Sequence, residues 1–388
     1  MAVDLPKIAS GIFEDSEHQP AHEFLLNTAS KKSDITFLSD VDLSIILANE
    51  LRRRGKFFAA IDIYTPLLKE HPEQDEMRTT LLNNCGALYQ DIGDLDQALS
   101  LYQESLHLSR AVLGSEHPSI ATTLNNMAAV HEARGDLDQA LSLYQESLHL
   151  SRAALGSEHP SIATTLNNMA AVYEARGDLD QALSLYQESL HLSRAVLGSE
   201  HLSIPTTLNN MAAVYEARGD LDQALSLYQE SLHLSRAALG SEHPSIATTL
   251  NNMAAVYKAR GDLDQALLLY QESLHLSRAA LGSEHPSIAT TLNNMAAVYE
   301  ARGELDLALS LYQESSSIMM RAFGNDHVDV ASILNNQAGC LYRLGRLDES
   351  IETYKLALSV AKRYLGVESI GARKLQANLS VALSRKES

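Results

Sequence analysis

The stretch TLNNMAAVYEARGD, residues 165–178, returns in nearly the same letters every 42 residues. Its Leu-Asn-Asn triplet begins, with that constant spacing, at Leu82, Leu124, Leu166, Leu208, Leu250, Leu292 and Leu334. Self-similarity at a period between about 20 and 50 residues is typical of solenoids, in which each repeat is one supersecondary unit. The repeat therefore overrides the two or three separate domains that a length of 388 residues would suggest.

The copy from Pro160 to Leu197 has the pattern of two helices joined by a short turn. Proline is tolerated in the first turn of a helix, and Gly177 supplies the left-handed residue that ends one. Asp178 and Gln181 resemble a capping box at the start of the second helix. The first helix has apolar residues at helical spacing, namely Ile162, Leu166, Met169, Ala170 and Tyr173.

The second helix of the unit is apolar on two faces. One stripe consists of Leu179, Ala182, Leu183, Tyr186, Leu190 and Leu197. Leu185 and Leu192 form a second apolar line. A helix that is apolar on two faces must be covered twice, here by its own partner and by the first helix of the next unit. The sequence therefore predicts that the units stack.

The unit resembles a known repeat type. If Ala163 is position 1, then Leu166 is position 4, Ala170 is 8, Tyr173 is 11 and Tyr186 is 24. This resembles the tetratricopeptide pattern, whose usual period is 34 residues. The extra residues lie in LGSEHPSI, between helix pairs. The 42-residue variant with TLNN(L/M)A and LG-x-x-HP is similar to the repeats of kinesin light chains, over about residues 79–364.

The repeats predict an all-α fold, and the resemblance implies a right-handed α-solenoid, a superhelix of about eight helix-turn-helix units with a C-terminal capping helix. The array is expected over residues 41–364, with a diverged first copy. Its units are expected at 41–74, 79–112, 121–154, 163–196, 205–238, 247–280, 289–322 and 331–364. Residues 365–388 are expected to form the capping helix and tail. Residues 1–40 show no sustained period, so we expect them to be mostly disordered, with a short helix around His22 to Asn27 left open.

The composition is acidic, with 49 acidic and 30 basic residues and a net charge of −19. One repeat, from Glu132 to Tyr173, has five acidic and two basic residues, so the acidity belongs to the repeated unit. An acidic surface argues against nucleic acid, whose phosphates need basic groups. It also favours solubility.

The two cysteines and the N-terminus indicate a cytoplasmic protein. Cys85 and Cys340 lie in helical patterns about six units apart, so we expect two reduced thiols. The N-terminal MAVDLPKIASGIFEDSEHQ lacks the basic region and apolar run of a secretory signal. No apolar stretch approaches the length of a membrane span, so we expect no membrane contact.

The sequence gives little sign of catalysis or of metal binding. Most of the fifteen histidines recur at repeat positions, and a whole helix pair separates equivalent copies, so they cannot converge on one ion. The Ser-Glu-His run in LGSEHPSI contains the residue types of a catalytic triad, but three consecutive residues cannot easily adopt its geometry. Phosphate-loop, GxSxG and HExxH motifs do not occur in the sequence. We expect no enzyme, no metal and no cofactor.

The paired asparagines are the best candidates for a site. In tetratricopeptide repeats, the resemblance implies, position 5 lines the concave groove together with positions 2, 9 and 12, and position 6 bonds within or between repeats. A carboxamide offers both a donor and an acceptor, so a row of them can pair with the main chain of an extended peptide. The expected groove asparagines are Asn83, Asn125, Asn167, Asn209, Asn251, Asn293 and Asn335. The expected inter-repeat ladder is Asn84, Asn126, Asn168, Asn210, Asn252, Asn294 and Asn336.

Position 12 makes the middle of the expected groove acidic. Its residues there are Glu132, Glu174, Glu216, Lys258 and Glu300. They predict a neutral or basic peptide, although a merely solvated acidic rim is the alternative. Chaperone-binding tetratricopeptide domains hold a C-terminal carboxylate with Lys and Arg at positions 2, 5 and 6, where this chain has Thr164, Asn167 and Asn168. Kinesin light chains are similar to basic-groove receptors for acidic cargo, from which the acidic row departs.

The sequence favours a non-catalytic scaffold that binds extended peptide or protein partners along the concave face of the superhelix. One alternative is a kinesin-light-chain-like adaptor, with kinesin heavy chain or cargo as its partner. Another is a rigid structural spacer built from recently expanded units. Kinesin light chains join the motor through an N-terminal coiled coil, and residues 1–40 contain no apolar heptads.

Overall fold

The computed structural model describes residues 40–72, 75–325, 327–365 and 369–387. Over these residues the chain forms seventeen α-helices and no strand, which confirms the predicted all-α solenoid. The helices are α1 (Asp40–Arg53), α2 (Phe57–Glu70), α3 (Glu76–Asp91), α4 (Leu95–Leu113), α5 (Pro118–Arg134), α6 (Leu137–Leu155), α7 (Pro160–Arg176), α8 (Leu179–Leu197), α9 (Ser203–Arg218), α10 (Leu221–Leu239), α11 (Pro244–Arg260), α12 (Leu263–Leu281), α13 (Pro286–Arg302), α14 (Leu305–Phe323), α15 (Val328–Arg343), α16 (Leu347–Leu365) and α17 (Ile370–Glu387). The segment expected to be disordered and its short helix lie, apart from Asp40, outside the described residues.

The helices fall into two compact parts, each of several helix pairs. The part that ends at Ser115 is called the first unit below, and the part that begins at Glu116 is called the second unit. In the first unit α1 pairs with α2 and α3 pairs with α4, and α2 packs against α3. In the second unit the pairs run from α5/α6 to α15/α16, and each second helix packs against the first helix of the next pair. Helix α17 packs on α16 and ends the described chain.

Small residues let the two helices of a pair approach closely. Ala170 on α7 and Ala182 on α8 are fully buried, and the ring of Tyr186 is 1% exposed. The position of Ala170 is occupied in the first unit by Gly86, where a Cβ atom would lie only 2.8 Å from Cε1 of Tyr102. The tyrosine ring thus fills the crossing, and the facing position has room for little more than a methyl group.

Consecutive pairs are held together by apolar side chains from both. Leu183 and Leu190 of α8 share one buried cluster with Ile204, Leu208 and Met211 of α9. The second helix is therefore covered on one side by its own partner and on the other by the next first helix, as its two apolar faces predict. Burial of this kind contributes roughly 25 cal/mol per Å² of apolar surface.

In several pairs, a buried serine on the second helix forms a hydrogen bond to the first helix, away from the turn that connects them. Ser189 Oγ on α8 donates to the backbone oxygen of Ala163 on α7 at 2.7 Å, and Ser147, Ser231, Ser273 and Ser315 make the equivalent bond. These hydroxyls are almost fully buried. Because a buried hydroxyl without a partner is costly, the bond fixes how the two helices are aligned along their length.

The histidines of the inter-pair loops are helix caps. His159 Nδ1 accepts the backbone N–H of Ser161 at 3.2 Å and lies 2.8 Å from Ser161 Oγ. His117, His201, His243 and His285 repeat this contact, and His327 accepts the N–H of Asp329 in the same way. The histidine of the Ser-Glu-His run therefore accepts a hydrogen bond from one of the free N–H groups at the start of α5, α7, α9, α11 and α13.

The prediction of a capping box at the start of α8 is wrong. Asp178 is the N-cap residue, but its side chain accepts no cap hydrogen bond. Its carboxylate instead lies 3.5 Å from Nε of Arg176, and the guanidinium of Arg176 also contacts Asp138 of the preceding pair at 3.0 Å. The nearby arginine holds the carboxylate away from the helix terminus. In the first unit Asp94 does cap α4, accepting from Gln97 N at 3.1 Å.

Overpacking the helix crossing should destabilise the array. We expect Ala170→Leu to cost about 1–3 kcal/mol of unfolding free energy, because the added carbons meet the buried Tyr186 ring. Ala175→Leu, on the exposed side of the same helix, is the matched control. Denaturant unfolding followed by circular dichroism measures both, and equal stability of the two variants would contradict this packing.

Removal of one histidine cap should have a smaller effect. We expect His159→Ala to lower the unfolding free energy by about 0.5–2 kcal/mol, and His159→Asn to retain most of the stability, because asparagine is itself a good N-cap residue. Thermal unfolding of the two variants beside the parent checks this. An alanine variant as stable as the asparagine variant would show that the Nδ1 contact contributes nothing.

Candidate functional site

The expected site residues lie on the first helices, which contact one another directly in the second unit. Positions 5 and 6 are half-buried at the centre of each of these helices, from Asn125 and Asn126 on α5 to Asn335 and Asn336 on α15. In the first unit Asn83 and Asn84 are half-buried on α3, and Asn83 Nδ2 donates to Ser105 Oγ at 2.9 Å. Thr164, Ala171 and Glu174 lie on α7 beside its asparagine pair.

Both asparagine positions take part in a hydrogen-bonded ladder. The position-6 Nδ2 of one pair donates to the position-5 Oδ1 of the preceding pair, as Asn294 does to Asn251 at 3.3 Å and Asn336 to Asn293 at 3.0 Å. Position 5 in turn donates to its neighbour at position 6, with 3.4 Å between Asn293 Nδ2 and Asn294 Oδ1. The carboxamides therefore form a continuous chain from Asn252 on α11 to α17.

The last rung of the ladder lies on α17. Asn378 Nδ2 donates to Asn335 Oδ1 at 2.9 Å. Sequence reasoning missed Asn378, although it follows Asn336 by one repeat period of 42 residues. The signal was available in that spacing, but the residues around Asn378 no longer carry the Leu-Asn-Asn triplet. Helix α17 thus continues the pattern of the first helices.

The ladder is interrupted at the middle of the second unit. Asn168 donates to Asn125 at 3.4 Å, but Asn209 Nδ2 donates instead to Thr249 Oγ1 at 2.8 Å. The buried Oδ1 atoms of Asn167 and Asn209 have no hydrogen-bond partner within the described part of the chain. These two position-5 carboxamides are therefore not fixed by the asparagine of the following pair.

The acidic row consists of Glu132, Glu174, Glu216 and Glu300, with Lys258 between the last two. All five side chains are half-buried. Tyrosines on the second helix donate to three of the carboxylates: Tyr144 to Glu132 at 3.3 Å, Tyr186 to Glu174 at 3.3 Å and Tyr312 to Glu300 at 3.0 Å. The sequence placed these tyrosines in the core, and their rings are buried, but their hydroxyls reach the acidic row.

The first three glutamates of the acidic row are partly desolvated and lack a counter-charge among the described residues. Burial raises the pKa of Glu132, Glu174 and Glu216, and the Glu174 carboxylate raises the pKa of Glu132 further. Glu300 pairs with Arg343 at 2.9 Å. Among the described residues no basic side chain pairs with the other three. Half-desolvated carboxylates without a counter-charge favour the approach of a cation.

The two cysteines are buried and free, and burial raises the pKa of each thiol to about 11. A thiol with so high a pKa is almost entirely protonated at neutral pH and is a poor nucleophile. In the part of the chain that the structure describes, no cluster of His, Cys, Asp and Glu has the arrangement of a metal site. Within the same residues none of the helices could cross a membrane.

Comparison with known families identifies the repeat. The sequence profile of the tetratricopeptide repeat matches overlapping stretches at residues 77–153, 119–195, 161–237, 203–279, 245–321, 287–363 and 329–387. The chain belongs to the tetratricopeptide repeat family. The resemblance predicted from the sequence is therefore confirmed. Proteins of this family are generally non-catalytic interaction scaffolds.

Several solved structures are similar to this tetratricopeptide repeat protein. BtubC (BKLC) from P. vanneervenii is 21% identical, with a TM-score of 0.47, over 61% of this chain and 93% of that one. A putative kinesin light chain from Podosopora anserina, with nearly identical TPR-like repeats, is 27% identical, with a TM-score of 0.43, over 53% and 98%. The APC/C hetero-tetramer Cut9–Hcn1 is 18% identical, with a TM-score of 0.53, over 94% and 60%, which shows a shared fold. Among curated proteins none matches this chain.

The raised pKa of Glu174 predicts that its charge destabilises the folded chain at neutral pH. Its folded-state pKa lies above the ordinary value of 4.5, so the folded state binds the proton more tightly. The destabilisation is present above the raised pKa and disappears as the pH falls to that of the unfolded chain. We expect Glu174→Gln, which can still accept from Tyr186, to be more stable than the parent at pH 7 and equally stable below about pH 4.

Unfolding in denaturant across this pH range measures the effect. Glu188→Gln is the control, because Glu188 lies exposed on the second helix, where it contacts Arg152 at 3.3 Å. We expect no gain at neutral pH from the control. A Glu174→Gln variant that is no more stable than the parent at pH 7 would contradict the assigned burial of the carboxylate.

Proposed function

We propose that the second unit is a binding scaffold for an extended peptide or protein segment that is neutral or basic. The ligand would lie across the first helices, along the asparagine ladder and the acidic row. The observation that supports this most directly is the set of three half-buried carboxylates, on Glu132, Glu174 and Glu216, which lack a basic partner among the described residues. A carboxylate held in this way costs stability, which a cationic ligand would offset.

The asparagines would bind the main chain of the ligand. Asn167 and Asn209 are best suited, because neither carboxamide oxygen is held by the asparagine of the next pair. Asn167 can turn towards a ligand without breaking a ladder bond, whereas Asn209 would first have to release Thr249 Oγ1, at a cost of about 0.5–1.5 kcal/mol. The engaged asparagines, such as Asn251 and Asn293, would mainly keep the first helices in register.

The acidic row would supply charge selection. Successive glutamates on successive first helices form a field that attracts basic side chains, speeds their encounter and is screened by salt over about 8–10 Å. Lys258 interrupts this field after Glu216. A basic ligand would therefore favour the first helices α5, α7 and α9, which carry Glu132, Glu174 and Glu216.

The scaffold proposal includes a cytoplasmic location, which the two buried, reduced thiols support. A kinesin-light-chain-like adaptor, with kinesin heavy chain or cargo as its partner, predicts a preference for acidic peptides. A rigid spacer predicts no peptide binding at all. The three possibilities are therefore distinguishable by one binding experiment.

The test is a peptide array probed with the parent and three variants. Asn167→Ala/Asn209→Ala should weaken binding of the selected peptides about tenfold, without changing its salt dependence, because main-chain hydrogen bonds are lost. Glu174→Lys/Glu216→Lys should abolish the preference for basic peptides or reverse it. Glu188→Lys/Glu230→Lys changes the net charge equally on the second helices, at residues that pair with Arg152 and Arg194, and should leave the preference intact.

Three outcomes would contradict the proposal. Tighter binding of acidic peptides by the parent would favour the kinesin-light-chain-like adaptor. Equal loss of selectivity in both lysine variants would show that net charge decides binding and that the acidic row does not. Absence of binding to every peptide would favour the spacer.

A further inference from the structure

The near-identity of the repeats makes each departure from them conspicuous. Over residues 247–315 the chain differs at four positions from the residue usual in the preceding copies, namely Lys258, Leu268, Glu304 and Leu307. The usual residues there are Glu, Ser, Asp and Gln, all polar. Two of the four changes replace a polar side chain by leucine, and both leucines are exposed, Leu268 by 60% and Leu307 by 43%.

Three of the four departures meet at one place. Leu268, Glu304 and Leu307 line a crevice of about 460 Å³ between α12, α13 and α14. At the corresponding positions two repeats earlier, the side chains are Ser184, Asp220 and Gln223. Each of two successive repeats thus has a leucine in place of the usual polar residue, and the crevice between them has two exposed leucines. We name it the leucine crevice.

The rim of the leucine crevice is acidic. Asp264 lies 2.8 Å from Nη1 of Arg302, and Glu304 lies 2.8 Å from its Nε. In the preceding repeat the shorter Asp262 leaves 3.7 Å to Nε of Arg260. The longer Glu304 thus completes a clamp in which two carboxylates face one guanidinium. The Asp264 side chain remains 90% exposed, so the rim presents excess negative charge beside the leucines.

Helix α17 presents the complementary surface. Ile370 and Val381 are exposed by 83% and 58%. Together with Lys374 and Arg385 they are spaced by four, seven and four residues, which places all four on one face of the helix. The guanidinium of Arg385 lies over the ring of Tyr342, 4.6 Å from its centroid. We name this surface the basic stripe, and it belongs to a chain whose net charge is −19.

We infer that the leucine crevice of one copy binds the basic stripe of a second copy. Exposed leucines would meet Ile370 and Val381, and the carboxylates of Asp264 and Glu304 would meet Lys374 and Arg385. Two different surfaces are joined, so the contact is heterologous, and it can extend into chains of molecules. The surface involved is small, and interfaces below about 1,200 Å² are usually weak and transient. The contact uses none of the ladder or acidic-row residues of the proposed peptide site.

The experiment uses sedimentation velocity on the full chain over a concentration series. The crevice variant, Leu268→Ser/Leu307→Gln, restores the residues of the other repeats and should therefore fold normally. The stripe variant is Ile370→Ser/Val381→Ser, at two exposed positions. We expect the parent to associate as its concentration rises, more weakly in high salt, and each variant alone to remain monomeric.

A mixture of the two variants provides the decisive arm. The crevice variant keeps an intact stripe and the stripe variant keeps an intact crevice, so an equimolar mixture should form dimers and nothing larger. Adding Ser184→Leu/Gln223→Leu to the crevice variant should restore association at the new position. A monomeric parent up to about 1 mM, association of the crevice variant equal to the parent's, or a mixture that stays monomeric would overturn the inference. Association that survives in the stripe variant would point to another occupant of the crevice and would overturn it equally.

Discussion

The whole array depends on the second helix of each pair being apolar on two faces. A helix of this kind is stable only when both faces are covered, and one pair can cover only one of them. Leu183 and Leu190 therefore require Ile204 and Leu208 of the next pair. At the other face the crossing of Ala170 with Tyr186 fixes how closely the partner helix can lie. These two contacts recur along the array with the repeat. They set the distance between successive helix pairs, and so the distance between equivalent residues of neighbouring repeats.

The candidate site follows from that spacing. Stacking places identical residues of successive repeats side by side. This is favourable for asparagine, because a carboxamide can donate a hydrogen bond to one neighbour and accept one from the other. The same stacking is unfavourable for glutamate, whose neighbours repel it, as Glu174 does Glu132. A tyrosine hydroxyl relieves part of this cost at Glu132, Glu174 and Glu300. A repeated row of half-buried glutamates is thus destabilising on its own.

Periodicity was sufficient to predict the all-α solenoid and the stacking, because those follow from which residues recur and how far apart, and the resemblance of the unit to tetratricopeptide repeats predicted the family. The sequence pattern could not predict hydrogen bonds that depend on side-chain conformation, either between the two helices of a pair or between successive pairs. Asp178 has the sequence of a cap but is held by Arg176, and Asn209 bonds Thr249 where identical asparagines elsewhere bond each other. The tyrosines of the second helix were correctly expected to be buried, yet their hydroxyls reach the acidic row. The contacts of Asp178 and Asn209 depend on which of several available hydrogen-bond partners a side chain takes, and the recurring residues alone do not decide that choice.

Near-identical units also create a problem for recognition, because an extended ligand could bind in several equivalent registers that differ by one repeat. Departures from the repeat are what remove this degeneracy. In the proposed binding mode, Lys258 would repel a basic side chain of the ligand. Glu216 and Glu300, at the same position of the repeats before and after it, would attract one. The interruption of the asparagine ladder at Asn167 and Asn209 lies just before Lys258. The two carboxamide oxygens without a partner, and carboxylates without a basic partner in the described part of the chain, therefore occur on the same first helices. The identical residues would then supply affinity, and the few that differ would decide where along the array a ligand binds.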